Sequence, residues 1–139
     1  MYLTLLAGAL VLAVDQFTKK VVLSELAEGQ SALITSWLRI RHVLNRRGMP
    51  MVSGRRAQAL LWVILFAGIC LIEWHGHFFQ KPAAQIGLGF AIGGAEGNAC
   101  DRFRRNAVVD FIDFGWWPVF NLADAAITIG VAAALWFLR

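Results

Sequence analysis

Apolar and polar positions divide the chain into four long apolar segments, which cover residues 2–18, 57–74, 83–101 and 118–138. As α-helices, segments of about 17 to 21 residues would extend about 25 to 32 Å, close to the hydrocarbon thickness of a bilayer. The pattern therefore predicts one domain over residues 1–139: an all-α membrane protein with four transmembrane helices. Four spans would leave both termini on the same side of the membrane.

The connection between the first two segments, residues 19–56, differs from the rest of the chain because it contains a strand pattern. In the run Leu38-Arg39-Ile40-Arg41, apolar and basic residues alternate, as expected of a half-exposed strand. Trp37 precedes this run and suits the level of lipid headgroups. We therefore expect a small β-containing cap on the membrane surface.

The last two predicted helices are joined by residues 102–117, which we expect to form a loop. Proline is favoured at the first position of a helix, so Pro82 and Pro118 are expected to begin the third and fourth helices. Gly89, Gly93 and Gly97 repeat every four residues along the third helix, a spacing of small residues that lets helices approach closely.

Composition supports the membrane class and limits the alternatives. The 139 residues are 58% hydrophobic, with six Trp and ten Phe, which is too apolar for a small soluble core. The net charge of +4 does not indicate a nucleic-acid partner, because the basic residues lack a soluble scaffold. Cys70 and Cys100 have no metal or redox spacing, and His75 and His77 are too few for a strong metal site.

Two acids, Asp110 and Asp124, border the apolar segments, where an ionised carboxylate is costly and marks a functional position. If they lie side by side, repulsion and desolvation raise one pKa, so that the pair shares a proton. The ionised acid can then activate a water molecule while the protonated acid serves the leaving amine. The two residues are therefore a candidate catalytic pair.

Other polar residues lie at the predicted helix ends. Asp15 and Lys19 are four residues apart in the favourable order for a helical ion pair, either as an interfacial pair with a snorkelling lysine or in a functional role. Asn98, Asp101 and Arg102 fall on one side of the third helix. We expect Asp101 and Arg102 to form a local ion pair that orients the following loop.

Four motifs resemble those of the bacterial lipoprotein signal peptidases, the signal peptidase II family. They are Asp15-Gln16-Phe17-Thr18-Lys19, the stretch from Gly93 to Arg102, Val108-Val109-Asp110-Phe111 and Phe120-Asn121-Leu122-Ala123-Asp124. The resemblance implies that Asp110 and Asp124 are catalytic. It also implies that six polar residues support the site or the substrate, namely Asp15, Lys19, Asn45, Asn98, Arg102 and Asn121.

By the same resemblance, the substrates are prolipoproteins cleaved before a diacylglyceryl-modified cysteine, without metal or cofactor. We expect a monomer in contact with membrane lipids. The family further implies a location in the bacterial inner membrane, with the active site toward the outer face and the termini in the cytoplasm. The charge distribution opposes this orientation, because eleven of the thirteen Lys and Arg residues would then lie outside. We follow the family orientation.

Three positions depart from the family pattern. The stretch from Asn45 to Met51 contains additional basic residues, together with Met and Pro where small and aromatic residues are usual. Asn106 replaces a common glycine, a mild change because Asn tolerates positive φ. Glu96 stands where an apolar residue is expected. At about 200° from Asn98 on a helix it points away from the candidate site, and we expect it to be either protonated or paired with a base such as Lys19 or Arg55.

These departures leave alternatives open. One is a non-proteolytic membrane paralogue that handles a lipid or natural product. Another is a small carrier that uses Asp110, Asp124 and Glu96 as a proton relay. The amide residues that flank the two acids favour the peptidase, since a relay needs acids but no such framing.

Overall fold

A computed structural model describes residues 2–46 and 81–137. Numbered in chain order, the described elements are α1 (Tyr2–Glu25), β1 (Ser31–Leu33), β2 (Arg39–Asn45), α2 (Pro82–Arg105), β3 (Val108–Asp113) and α3 (Leu122–Trp136). The predicted helix over residues 57–74, the histidines at 75 and 77, and positions 47–51 of the divergent loop lie outside the described residues. The assignment of residues 1–139 to one domain stays a prediction.

The expectation of an all-α protein with four transmembrane helices is wrong. Residues 2–46 and 81–137 form three helices and a three-stranded antiparallel sheet. In this part of the chain, no helix has both the length and the apolar character needed to cross a bilayer. The helix α3 has only 15 residues, and α1 and α2 contain charged side chains, among them Asp15, Lys19 and Asp101, that are buried in the protein.

The sheet has the strand order β1-β2-β3. The alternating run before residue 42 does form part of a strand, as predicted, and Ala32 of β1 lies opposite Ile40 of β2. The third strand was expected to be a loop, and that expectation is wrong, because the β-branched and aromatic residues of β3 pack inward. Val109 and Phe111 form a core with Val22 of α1, which fixes the sheet against the end of that helix.

Glycines set the spacing between the helices and place α2 between α1 and α3. A Cβ atom on Gly93 would collide with the backbone oxygen of Gly8 in α1. On the opposite side of α2, a Cβ atom on Gly87 would lie 2.8 Å from the backbone oxygen of Gly130 in α3. The prediction of close helix approach is confirmed, and it brings the polar ends of the three helices together.

Some observed helix ends agree with those predicted from the sequence, and others differ from them. The helix α1 continues to Glu25, beyond the predicted end at residue 18. The helix α2 begins at Pro82 as predicted and ends before Asn106, whose φ of 57° confirms that this position needs the left-handed conformation. The start of α3 at Pro118 is wrong, because Asn121 caps the helix and Leu122 is its first residue.

Candidate active site

The centre of the candidate site is the carboxylate of Asp110, which lies within β3 and is 4% exposed. Its two oxygens accept hydrogen bonds from side-chain amides on either side. Asn121 donates from Nδ2 to Oδ1 at 2.8 Å, and Asn45 at the end of β2 donates from Nδ2 to Oδ2 at 3.1 Å. The sheet register brings Asn45 to this position, since Val43 of β2 lies opposite Asp110 in β3.

Burial raises the pKa of Asp110 to about 6, and the negative charge of Asp124 acts in the same direction. The hydrogen bonds from Asn45 and Asn121 and the charge of Lys19 oppose this increase in pKa. Burial disfavours the ionised carboxyl, whereas N–H donors and a nearby cation favour it. The environment therefore brings the titration of Asp110 close to neutral pH.

The second acid, Asp124, is held at the start of α3. Its Oδ2 accepts from the backbone N–H of Asn121 at 3.3 Å, and the side chain of Asn121 accepts from the backbone N–H of Asp124 at 2.9 Å. This reciprocal arrangement is a capping box, which satisfies two otherwise unpaired N–H groups at the helix start. Because the N-terminus of a helix favours negative charge, the same turn that fixes Asp124 also suits its carboxylate.

Asn98 connects Asp124 with α1. Its Nδ2 donates to Asp124 Oδ1 at 2.8 Å, while its Oδ1 accepts from Lys19 Nζ at 3.0 Å and from Asn121 Nδ2 at 3.1 Å. Lys19 can only donate, so it determines which end of the Asn98 amide faces which neighbour. The amide nitrogen of Asn98 is thereby turned toward Asp124.

Lys19 belongs to a cluster of charges in which Lys19, Asp15 and Asp101 are buried and Arg105 is partly exposed. Its Nζ lies 2.8 Å from Asp15 Oδ2 and 2.9 Å from Asp101 Oδ2, and Arg105 lies 2.9 Å from the other oxygen of Asp101. The exposed fractions of Lys19 and Asp15 are 1% and 0%, so the interpretation as a snorkelling interfacial pair is wrong. With two acids and two bases, the cluster has no net formal charge.

The same cluster fixes the backbone on both sides of the site. The backbone N–H of Ala123 donates to Asp15 Oδ1 at 3.0 Å, and the N–H of Val109 donates to Asp101 Oδ2 at 3.2 Å. Asp15 therefore holds the first turn of α3, and Asp101 holds β3 next to Asp110. Asp101 was expected to form an ion pair with Arg102. Its ion pairs are instead with Lys19 and Arg105.

Two contributors were missed in the sequence. Arg105 follows Asp101 by four residues, a spacing that could have identified it, and Gln16 lies within the first motif. Gln16 Nε2 donates to the backbone oxygen of Gly97 at 3.1 Å. Gly97 is required for this packing, since a Cβ atom there would lie 2.5 Å from Asp15 Oδ2.

Two further residues singled out in the sequence are Arg102 and Glu96, and the structure defines their roles less directly. Arg102 is partly buried at the end of α2, and its role in supporting the substrate stays a prediction. Glu96 is also partly buried; one of its two expected partners, Lys19, instead binds Asp15, Asp101 and Asn98, and the other lies outside the described residues. Within residues 2–46 and 81–137, no group of three or more His, Cys, Asp and Glu side chains is arranged to hold a metal ion.

A cleft of about 560 Å³ opens onto Asp110. It is lined by Val43, Leu44, Asn45, Arg46, Asp110 and Val119. Half of these side chains are aliphatic, and the polar ones lie beside the acid. The cleft can therefore accept an apolar chain segment and present a carbonyl group to Asp110.

Comparisons with known proteins agree over nearly the whole chain. A family profile described as Signal peptidase (SPase) II matches residues 7–139. The chain is 37% identical over 133 residues to the lipoprotein signal peptidase of Pelotomaculum thermopropionicum, covering 94% of this chain and 87% of that protein. It is 34% identical over 136 residues to the lipoprotein signal peptidase of Moorella thermoacetica, covering 96% and 91%. A solved structure described as a bacterial membrane enzyme, determined by the in meso method, superposes with a TM-score of 0.84 at 26% identity, covering 95% of this chain and 89% of that one.

Proposed function

This chain belongs to the signal peptidase II family, and we propose that it is an aspartic endopeptidase whose catalytic pair is Asp110 and Asp124. Membership of the family makes it a protease of lipoprotein processing and a bacterial membrane enzyme. The observation that carries the finer proposal is the bridging role of Asn121. This residue donates to Asp110 and forms the capping box with Asp124, so one side chain fixes both acids.

The proposed mechanism uses one proton shared by the pair. Near neutral pH, one carboxyl is ionised and removes a proton from a water molecule, whose oxygen attacks the scissile carbonyl carbon. The protonated carboxyl supports the tetrahedral intermediate and gives its proton to the leaving nitrogen as the C–N bond breaks. Because burial raises the pKa of Asp110 to about 6, a fraction of this carboxyl is still protonated near neutral pH, and we assign it as the protonated member.

We assign prolipoproteins as the substrates, with cleavage before a diacylglyceryl-modified cysteine. Two relatives are named lipoprotein signal peptidases, and the aliphatic lining of the cleft beside Asp110 supports an apolar segment as the occupant. The three asparagines that surround the acids, Asn45, Asn98 and Asn121, fix the carboxylates without adding charge. The enzyme in this proposal acts as a monomer without a cofactor.

Membrane lipids are the second proposed partner, and the exposed aromatic residues beside the sheet support them. Phe114 stacks between Trp37 and Trp116, whose ring centroids lie 5.9 and 6.5 Å away. Trp37 is 63% exposed and Trp116 80%. Tryptophan is enriched at membrane interfaces, so we propose that this patch contacts the outer surface of the inner membrane, with the active site facing outward and the termini in the cytoplasm.

The proposal is tested with the purified full chain and a diacylglyceryl-modified prolipoprotein, by measuring release of the signal peptide. Asp110→Asn and Asp124→Asn should each remove cleavage and remain folded, because Asn keeps the shape of the side chain without its titrating carboxyl. Asp113→Asn is the matched control, since Asp113 is a buried acid on the same strand that binds Arg39 and the N–H of Gly115. Normal turnover by Asp110→Asn or Asp124→Asn would contradict the assignment.

A further inference from the structure

A bidentate ion pair on the surface joins the loop after α1 to the residue that follows β2. Arg46 NH1 lies 2.8 Å from Glu28 Oε1, and Arg46 NH2 lies 3.1 Å from Glu28 Oε2. Both side chains are exposed, 64% for Arg46 and 47% for Glu28. Two parallel N–H···O bonds give this pair a defined geometry that most surface ion pairs lack.

The loop that carries Glu28 is itself attached to β2 through His42. The N–H of Gly29 donates to the backbone oxygen of His42 at 2.8 Å, and the N–H of His42 donates to the backbone oxygen of Gln30 at 3.0 Å. The His42 ring, which is 5% exposed, donates from Nδ1 to the backbone oxygen of Leu26 at 2.8 Å. The loop and the middle of β2 therefore form one unit from which Glu28 reaches the strand end.

The end of β2 is the part of the strand that matters for the candidate site. Asn45 is its last residue, and its pairing with Val108 is the last one between β2 and β3. Its side chain donates to Asp110 Oδ2 at 3.1 Å. Beyond Asn45 the sheet no longer restrains the chain, and the next residue is Arg46.

We propose that Glu28 and Arg46 are positioning residues, whose ion pair holds the end of β2 so that Asn45 donates its hydrogen bond to Asp110. This inference rests on the proposed function. The pair acts through Asn45 and leaves the groups that face Asp110 from the other elements, Asn121, Asp124 and Lys19, in place. The hydrogen bond from Arg46 also lowers the pKa of Glu28, which favours the ionised pair.

Arg46 also lines the cleft, and a direct contact between Arg46 and the substrate is the competing explanation. The two explanations differ in what Glu28 does. If the pair positions Asn45, neutralising either partner has the same effect, and reversing both charges restores function. If Arg46 binds the substrate, Glu28→Gln leaves activity intact and charge reversal restores nothing.

The experiment compares Glu28→Gln, Arg46→Gln and the double variant Glu28→Arg/Arg46→Glu with Glu25→Gln, a matched control in an exposed acid near the end of α1. At about pH 5, below the alkaline decline of the rate, each single neutralisation should lower kcat/KM by about two- to fivefold, the range expected for one exposed ion pair, and the double variant should recover most of the loss. The pKa of Asp110, measured from the infrared carboxyl band that Asp110→Asn removes, should rise in both single variants, as in Asn45→Ala. A hydrogen bond to an ionised carboxylate lowers its pKa, so its loss raises it.

The infrared measurement separates the possible failures. An unchanged pKa of Asp110 in Glu28→Gln and Arg46→Gln, or failure of the charge reversal to restore the pKa, would overturn the inference even in a fully active enzyme. Cleavage by Asp110→Asn would contradict the proposed function and leave the pKa comparison valid. Thermal unfolding of all four variants shows whether a loss of kcat/KM reflects loss of the fold.

Discussion

Asn121 Nδ2 lies 2.8 Å from Asp110 Oδ1, and this hydrogen bond connects the cap of one helix to a buried strand carboxylate. The bond joins the residue that caps α3 to a residue inside β3. It favours the ionised form of a carboxyl that burial would otherwise keep protonated. The balance of the two effects gives Asp110 a pKa of about 6, and the pH dependence of the enzyme follows from that balance.

The first prediction concerns the rate of cleavage. If Asp110 supplies the proton of the pair, kcat/KM should fall as the pH rises through about 6, the pKa of its carboxyl. Asn45→Ala removes a donor that lowers this pKa, so the alkaline decline should move to higher pH. The profile is measured with one substrate from pH 4.5 to 8.5, at fixed ionic strength. A decline that moves to lower pH in Asn45→Ala would contradict the assigned role.

The second prediction concerns stability. A carboxyl whose pKa rises on folding from 3.8 to about 6 binds its proton more tightly in the folded state, so its contribution to the free energy of unfolding declines as the pH rises through that interval. The full decline is at most about 3 kcal/mol. Asp110→Asn removes it, and its Tm relative to the wild type should therefore be higher at pH 8 than at pH 4. An equal difference in Tm at the two pH values would show that the folded and unfolded pKa values coincide.

The third prediction concerns Lys19. Lys19→Met would leave Asp15 and Asp101 buried without their shared cation, a change that costs about 3 to 5 kcal/mol in other proteins, and would release the oxygen of Asn98. We expect a large loss of thermal stability and of cleavage. Lys20→Met is the control, because the neighbouring lysine is exposed. Equal unfolding curves for the two variants would show that the buried cluster does not stabilise the fold.

The fourth prediction concerns Glu96. Substitution of this residue distinguishes the peptidase hypothesis from the proton-relay hypothesis. Glu96 is two residues from Asn98 on α2, about 200° around the helix, and so points away from the pair of acids. Glu96→Gln should therefore cleave at close to the wild-type rate and change Tm only modestly. If this variant is folded and as inactive as Asp110→Asn, a third acid takes part and the relay becomes the better explanation.

The fifth prediction concerns orientation. Ser31 in β1 and Lys81 before α2 are both exposed; Ser31 lies in the sheet that contains Asp110, whereas α2 rises about 24 Å from Pro82, next to Lys81, to Asn98 at the site. Single cysteines at these positions, in a background with Cys70→Ser and Cys100→Ser, are treated with an impermeant thiol reagent on intact cells. We expect labelling at position 31 alone. Labelling at position 81 alone would mean that the charge distribution, and not the family orientation, is decisive.

Local patterns were sufficient for several features of the fold. Pro82 marked the start of α2, and the alternation of apolar and basic residues from Leu38 to Arg41 marked β2. The spacing of Gly89 and Gly93 indicated the close approach of α2 to α1. Asn106 was expected to tolerate positive φ and adopts it. Each of these depends on the conformational preferences of a few neighbouring residues, which are readable from the chain itself.

Hydropathy alone gave the wrong architecture because it averages over each segment. It counted four spans without registering that Asp15 and Asp101 are paired inside the protein with Lys19 and Arg105. It also treated residues 102–117 as a loop, whereas Val108–Asp113 completes a sheet by pairing with a strand some 65 residues earlier in the chain. The periodicity of apolar and polar residues within a short segment does not indicate which distant strand that segment will pair with.

The sequence by itself indicated most polar residues of the candidate site, since the four motifs contain Asp110, Asp124, Asn98 and Asn121, but it did not single out Gln16 or Arg105. Only the tertiary structure decided how they are connected: Asn45 reaches Asp110 through the register of β2 and β3, and Lys19 turns the amide of Asn98 toward Asp124 through the packing of α1 on α2. The physical reason is that a hydrogen bond depends on distances of a few tenths of an ångström. Such distances are set by the packing of elements remote in the chain, on which spacing in the sequence carries no information.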